Sequence, residues 1–165
     1  MGEAIKTRRN QAQYINPLLF YEEGFENESV TGGWETNVSA GNGVQSKHLD
    51  FIYLELFNNA SQVAHRSYIT TNNIDFTNIN ALKWELEGYE ADPSNVRILT
   101  LNTTKQDGAL TWVAFVSNQG NISRDIFTLD TSAITGEYYI RMIMVDNSSS
   151  QDRPGKAKIY KVWGE

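Results

Sequence analysis

The sequence predicts an all-β sandwich, and three observations support this fold class. Apolar residues alternate with charged ones at Leu82, Trp84 and Leu86, which occupy every second position. Successive side chains of a strand point to opposite faces, so this period indicates a strand with one buried face. A second alternating segment covers residues 137–145, after a short link closed by Gly136. Turn signals separate about eight to ten such segments and no segment needs a helix, which favours a jelly-roll sandwich.

Two parts of the chain are expected: a flexible basic arm at residues 1–16 and one sandwich domain at residues 17–165. The arm carries Lys6, Arg8 and Arg9 but too few large apolar residues to fold alone. A chain of 165 residues otherwise fits a single domain that needs no disulfides. The arm is interpreted either as a loose terminus or as a tether that orders against an acidic partner subunit.

The domain is expected to begin with a short apolar strand, an acidic loop and a sharp turn at Gly32 and Gly33. Trp34, beside this turn, is predicted to fill the core, because Trp is highly buried on average. We expect no cofactor, but the loop leaves a structural Ca²⁺ ion open as an alternative to a solvated loop. The carboxylates of the acidic loop are Glu22, Glu23, Glu26 and Glu28. Their spacing is not that of an EF-hand.

The next strand, residues 48–57, is apolar on both faces and is therefore predicted to be central and covered on both sides. Glu55 is the exception, since a carboxylate among apolar groups must be paired or reach water. Residues 64–71 and 95–104 are predicted as further strands, and Asp107-Gly108 as a hairpin turn. A polar loop precedes the final strand.

The net charge of −6 and the pI near 4.9 argue against nucleic-acid binding, which normally needs a basic surface. No apolar run approaches the roughly 20 residues that cross a bilayer, so no membrane insertion is expected. The first residues lack the apolar core of a signal peptide, so we expect synthesis in the bacterial cytoplasm without Sec export. The lack of cysteine excludes thiol catalysis and thiolate zinc sites.

The common catalytic motifs are missing, and the protein is expected not to be an enzyme. No G-x-S-x-G, H-E-x-x-H, P-loop or G-x-G-x-x-G sequence occurs. The two histidines, His48 and His65, are interpreted as structural or surface residues. Glycoside hydrolysis needs only two carboxylates close in space, so a glycan-degrading enzyme remains the least favoured alternative.

Sugar binding combines aromatic faces with charged or amide side chains that hold hydroxyl groups. The candidates here are aromatic, acidic or basic residues on predicted strands: Tyr53, Glu55, Arg66, Arg97, Trp112, Asp125, Tyr139 and Arg141. Trp84 is assigned to the core instead. Arg97 and Arg141 lie within apolar strands, where an arginine must find an acceptor. If both point to the same open face they form a polar floor for a ligand. If they pair with Glu85 or Glu87 they are structural.

Two units of the sequence resemble the galactose-binding-like jelly roll that many carbohydrate-binding modules share. The early unit precedes an alternating strand and contains Ile74, Asp75, Phe76, Thr77 and Leu82. The late unit has a Leu-Asp-Ser/Thr, Gly and Tyr-Tyr-Ile pattern, formed by Leu129, Asp130, Thr131, Ser132, Gly136, Tyr138, Tyr139 and Ile140. The resemblance covers residues 18–163 and concerns strands and turns, so no binding residue is carried over from it.

The beginning of the chain resembles tail-associated structural proteins of phages and prophages of Gram-positive bacteria. This resemblance rests on MGEAIKTRR at residues 1–9 and LLFYEEGFENESVTGGW at residues 18–34. It implies a virion location in the tail or baseplate, with other tail subunits contacting the arm and a homo-oligomer as one form of assembly. We therefore expect a non-catalytic module that recognises a bacterial surface carbohydrate such as a cell-wall glycan. A purely structural virion protein without a small-molecule ligand is the alternative.

Overall fold

The computed structural model describes residues 18–22, 25–26, 31–37, 42–47, 51–57, 64–90, 95–105, 112–146 and 155–165. The predicted arm, most of the acidic loop, His48 and the predicted hairpin turn at Asp107-Gly108 lie outside these residues. In the described part of the chain, no helix is long and apolar enough to cross a membrane.

The described residues contain thirteen strands. In chain order these are β1 (Leu18–Glu22), β2 (Phe25–Glu26), β3 (Trp34–Asn37), β4 (Asn42–Lys47), β5 (Ile52–Phe57), β6 (Ala64–Thr70), β7 (Ile74–Asp75), β8 (Ala81–Glu90), β9 (Asn95–Asn102), β10 (Ala114–Gln119), β11 (Ile122–Asp130), β12 (Glu137–Asp146) and β13 (Gly155–Gly164).

The strands form two antiparallel sheets. The seven-stranded sheet has the order β11-β8-β13-β1-β2, with β5 paired to β13 and β4 paired to β5. Strand β13 therefore pairs with β8 along one side and with β5 and then β1 along the other. The six-stranded sheet has the order β10-β9-β12-β6-β3, with β7 paired to β12. This architecture confirms the predicted β-sandwich.

The core lies between the two sheets, and the alternation of β8 produces its centre. Leu82, Trp84 and Leu86 are at most 1% exposed, and they belong to one apolar cluster with residues of the six-stranded sheet such as Leu99 and Met142. Each such side chain gains roughly 1.5–3 kcal/mol from burial. The prediction that this stripe faces the core is confirmed.

Trp34 is also a core residue, as predicted. It is 6% exposed and belongs to the same apolar cluster. Its indole Nε1 donates a hydrogen bond to the Phe20 carbonyl oxygen at 3.2 Å, which satisfies the polar atom that burial would otherwise leave without a partner. The tryptophan thereby joins β3 of one sheet to β1 of the other.

The two sequence units with similar Asp-containing turns lie next to each other. Asp75 Oδ1 accepts hydrogen bonds from the backbone N and the Oγ1 of Thr77, at 2.9 and 2.6 Å. Asp130 Oδ1 accepts the equivalent bonds from Ser132, at 2.9 and 2.7 Å. Thr131 Oγ1 then donates to a carbonyl oxygen of the early unit at 2.6 Å, so the two turns are joined. Such hydrogen bonds within a turn favour a change of chain direction before β8 and before β12.

The prediction for the apolar strand around residues 48–57 holds for one face only. Strand β5 is central, because it lies between β4 and β13. Ile52, Leu54 and Leu56 are at most 1% exposed on its inner face. Tyr53 and Glu55 on the opposite face are only partly buried, since that side of the sheet faces outward. The predicted cover on both sides was therefore wrong.

Candidate functional site

The eight predicted binding residues lie in four different places. On the outer face of the seven-stranded sheet are Tyr53 and Glu55. On the inner face of the six-stranded sheet are Arg66 and Arg97, which flank Met144 on neighbouring strands. On the outer face of the six-stranded sheet are Trp112, Tyr139 and Arg141. Asp125 lies on the edge strand β11. One surface cannot contain them all, and their roles in binding stay predictions.

Arg97 and Arg141 lie on neighbouring strands but point to opposite faces. Arg97 is paired in register with the core residue Met144, whereas Arg141 is paired with Thr100 on the outer face. Arg97 is 1% exposed, and its Nη2 donates to the carbonyl oxygen of Gly120. Gly88 makes room for it, because a Cβ atom there would lie 2.6 Å from Arg97 Nε. The two arginines therefore do not share a face, so the alternative of a common polar floor does not apply.

The alternative partners of these arginines are engaged elsewhere. Glu85 Oε1 accepts a hydrogen bond from Arg124 Nε at 2.6 Å, and Glu87 Oε2 accepts one from the Tyr160 hydroxyl at 2.6 Å. Both glutamates lie on the outer face of the seven-stranded sheet, away from Arg141. The second alternative, in which Arg97 and Arg141 pair with these glutamates, therefore does not apply either.

Arg141 and Tyr139 belong to a largely covered face. Arg141 is 2% exposed, and its Nη2 donates to the Lys105 carbonyl oxygen at 3.3 Å. The Lys105 ammonium lies 5.4 Å from the centre of the Tyr139 ring and 2.6 Å from Glu35 Oε1. Trp112 packs against apolar residues of the same face. Little of Arg141 is therefore accessible to a ligand.

Glu55 has partners, as its apolar surroundings predicted. The Tyr53 hydroxyl donates to Glu55 Oε2 at 2.8 Å, and Lys156 Nζ lies 3.1 Å from Glu55 Oε1. Burial, followed by the hydrogen bond to Glu55 and its negative charge, holds the pKa of Tyr53 well above its usual range. The phenol therefore remains protonated and acts as a hydrogen-bond donor.

A hollow of about 360 Å³ opens on the outer face of the seven-stranded sheet and is named the sheet hollow here. It is lined by Glu22 of β1, Glu85 of β8, Arg124 of β11, and Tyr160 and Lys161 of β13. Lys161 is paired in register with Glu85 on one side and Glu22 on the other. Neighbours across antiparallel strands share a face, so these three residues form a carboxylate–ammonium–carboxylate row.

The side chains of the sheet hollow hold one another in place. Lys161 Nζ lies 2.7 Å from Glu22 Oε1, and Arg124 Nε lies 2.6 Å from Glu85 Oε1. The Arg124 guanidinium also covers the Tyr160 ring, with its Cζ 3.8 Å from the ring centre. Exposed ion pairs contribute little to stability, about 0–1 kcal/mol each. Their effect here is to fix hydrogen-bond donors beside acceptors.

None of the five residues of the sheet hollow was among the predicted binding residues. They come from four strands that are far apart in the sequence, and a bulge between Ile159 and Lys161 shifts the register of β13. The available signal was the run of charged residues at outward positions of β8 and β13. That signal indicates a face exposed to solvent. It does not indicate which residues of neighbouring strands lie beside each other.

The described residues contain no group of three or more His, Cys, Asp or Glu side chains that could hold a metal ion. Glu22 of the acidic loop is held by Lys161. The remaining carboxylates of that loop lie outside the residues whose side chains are described, so a structural Ca²⁺ ion there stays an untested alternative.

Comparison with solved structures identifies the fold class. A family 29 carbohydrate-binding module variant complexed with mannohexaose has a TM-score of 0.54, 12% identity and 90% coverage of both chains. A family 29 module from Piromyces equi has a TM-score of 0.50, 12% identity and coverage of 90% and 89%. The family 11 module from Clostridium thermocellum, in complex with a β-1,3-1,4-mixed-linked tetrasaccharide, has a TM-score of 0.50, 8% identity and coverage of 79% and 87%.

The chain thus has the β-sandwich fold found in carbohydrate-binding modules. No family model matches the sequence, and no curated protein matches it significantly. At identities this low the likeness concerns the fold, and function has to be argued from the site.

Proposed function

We propose that the protein is a non-catalytic module that binds carbohydrate in the sheet hollow. The observation that carries the proposal is the row of fixed donors and acceptors formed by Glu22, Lys161, Glu85 and Arg124. The volume of the sheet hollow, about 360 Å³, lies at the lower end of the range of about 300–1,000 Å³ for ligand sites. The shared fold with modules solved in complex with glycans supports the same function.

The chemistry of the sheet hollow suits sugar hydroxyl groups. A hydroxyl both donates and accepts hydrogen bonds, so neighbouring hydroxyls can bind a carboxylate and an adjacent cation together. Arg124 and Glu85 offer such a pair, and Lys161 and Glu22 offer another. Because the ion pairs already hold these side chains, binding costs little additional side-chain ordering.

The surroundings of the two carboxylates favour binding over hydrolysis. A glycosidase needs a carboxylic acid that keeps its proton, which normally requires an apolar pocket. Glu22 and Glu85 instead each contact a cation, and their side chains are 48% and 22% exposed. This environment supports hydrogen bonding to hydroxyls and differs from the apolar pocket that a glycosidase acid requires.

Calorimetric titration of the full chain tests this proposal. The ligands are mannohexaose, a mixed-linked β-glucan tetrasaccharide and purified Gram-positive cell-wall polysaccharide. The variants R124A and K161A should each weaken binding about 10-fold to 100-fold, because a hydrogen bond to a charged group contributes about 1.5–3 kcal/mol. The matched control K105A removes an ion-paired lysine that follows β9 and lies away from the sheet hollow, and it should bind as the wild type does.

Two outcomes would contradict carbohydrate binding in the sheet hollow. The first is no heat of binding at millimolar concentrations for all three ligands. The second is equal loss of affinity in K105A, R124A and K161A, which would place the ligand elsewhere or indicate a general effect of charge.

We further propose that the module belongs to a phage or prophage tail and recognises a bacterial cell-surface glycan there. The support is the likeness of residues 1–9 and 18–34 to the start of tail proteins. In this setting the arm at residues 1–16 contacts other subunits, and several linked sites gain avidity. Light scattering of the full chain and of a chain without residues 1–16 tests the assembly. An oligomer lost with the arm is expected, and a monomer in both cases argues against this setting.

A purely structural virion protein is the second candidate, and one observation favours it. Two exposed large apolar residues lie close together at one edge of the six-stranded sheet: Val113 and Phe115 are 53% and 49% exposed, and the centre of the Phe115 ring lies 5.2 Å from that of Trp112. Exposed apolar groups that cluster mark contact surfaces in many proteins. Assembly that persists while all glycans fail to bind would favour this candidate.

A further inference from the structure

We infer that the sheet hollow accepts uncharged glycans and rejects polyanionic ones, and that Glu22 and Glu85 determine this specificity. The inference rests on the proposed function and names the ligand class of the same site. Both cations of the sheet hollow already have a carboxylate partner, Lys161 with Glu22 at 2.7 Å and Arg124 with Glu85 at 2.6 Å. No surplus positive charge is left for a phosphate, sulfate or uronate group.

An anionic ligand would have to compete with these carboxylates. To contact Arg124 it must approach within a few ångströms of Glu85, and to contact Lys161 it must approach Glu22. Like charges at such distances repel, whereas a neutral hydroxyl bonds to the cation and the carboxylate together. The Tyr160 ring further limits Arg124, since the guanidinium lies 3.8 Å from its centre. Arg124 is therefore not free to turn towards a distant anion.

Among the described residues, the rest of this face is charge-matched as well. Five ion pairs of the described residues lie on it, and they join five cations to five carboxylates: Lys83–Glu165, Arg124–Glu85, Lys156–Glu55, Lys158–Glu87 and Lys161–Glu22. The whole chain has a net charge of −6, which adds a long-range repulsion of polyanions. A protein that binds anionic wall polymers needs the opposite pattern, cations without internal partners.

The double variant E22Q/E85Q tests the inference by gain of binding. Glutamine keeps the size of glutamate and one acceptor oxygen but removes the charge that neutralises Lys161 and Arg124. The probes are dextran sulfate and unsulfated dextran, which share one backbone, used in affinity electrophoresis of the full chain. Dextran sulfate should retard wild type no more than unsulfated dextran does. It should retard E22Q/E85Q strongly, with an affinity at least about tenfold higher than that of wild type. Added salt should abolish this gain.

A matched control separates local from global charge. E35Q/E137Q makes the same change of net charge, and E35Q removes a carboxylate that pairs with a lysine, Lys105, away from the sheet hollow. This variant should migrate as wild type does in dextran sulfate. Thermal unfolding checks that both double variants are folded. We expect them to fold, because all four glutamate side chains are at least partly exposed.

Two results would overturn the inference. One is wild-type protein that binds dextran sulfate and loses this binding in R124A or K161A. The other is a folded E22Q/E85Q variant that gains no more than E35Q/E137Q does. The proposed function would instead be refuted if wild type binds no neutral glycan in the calorimetric titrations. The two failures are distinguishable, because only the dextran sulfate experiment tests the rejection of polyanions.

Discussion

Replacement of Gly88 by alanine tests whether Arg97 belongs to the core or to a binding site. Gly88 is buried on β8, at a position where a Cβ atom would lie 2.6 Å from Arg97 Nε and 2.7 Å from its Cζ. Non-bonded atoms prefer about 3.5–4.0 Å. Arg97 is 1% exposed, so its guanidinium can move only within packed surroundings. The substitution therefore forces a repacking of the interior.

We expect G88A to lower the free energy of unfolding by about 1–2 kcal/mol. Overpacking of a tight core costs about 1–3 kcal/mol. Alanine in a strand recovers about 0.5–1 kcal/mol, because it loses less conformational freedom on folding than glycine does. The repulsion outweighs this gain, since Arg97 is held by the Gly120 carbonyl oxygen and is 1% exposed.

Urea unfolding of wild type, G88A, R97A and the double variant measures the effect. Without the long Arg97 side chain, the space beside position 88 is open, so G88A should be neutral or slightly stabilising in the R97A background. The coupling energy between the two sites should then be about 1–3 kcal/mol, within the range for residues in contact. Equal urea slopes for all four proteins check that the comparison is valid.

Two results would refute this reasoning. G88A with wild-type stability would show that Arg97 is not packed over Gly88, and an equal cost in both backgrounds would show that the two residues are not coupled. If R97A loses carbohydrate binding while its stability is unchanged, the original prediction of Arg97 as a ligand-binding residue is supported instead.

Two further predictions concern the turns and the core. Hydrogen bonds from Thr77 and Ser132 hold the pKa values of Asp75 and Asp130 below their usual range. The ionised carboxylates therefore stabilise the fold at neutral pH, and this contribution is lost as the pH falls through the lowered pKa values. The stability deficit of D75N/D130N near neutral pH should therefore shrink in urea titrations as the pH is lowered below the usual range of an aspartate, and a deficit that stays constant as the pH falls contradicts the assignment. W84A removes the largest fully buried side chain among the described residues and should cost about 3–5 kcal/mol, whereas a cost below about 1 kcal/mol contradicts its place in the core.

The local features of this protein follow from its sequence. Alternation at Leu82, Trp84 and Leu86 indicates a strand and its buried face, because side-chain direction in a strand depends only on position along the chain. The turns at Asp75 and Asp130 are local too, since a short side chain bonds to a residue two positions later. The sandwich fold and most of its strands were predictable for this reason.

The direction of Arg97 was not predictable in the same way. On β9 both alternating sets contain apolar residues, with Leu99 on one face and Ile98 on the other, and both are buried. Alternation therefore cannot decide which face meets the core. The inward direction of Arg97 requires the space beside Gly88, and Gly88 lies in the opposite sheet.

The sheet hollow depends entirely on tertiary structure. The sequence by itself determined that Glu85 and the charged residues of β13 point outward, away from the core. Only the pairing of β13 with β1 and β8, together with the bulge before Lys161, placed Glu22 and Glu85 on either side of that lysine. Register between distant strands is set by packing and by bulges over the whole sheet, so no local pattern encodes it.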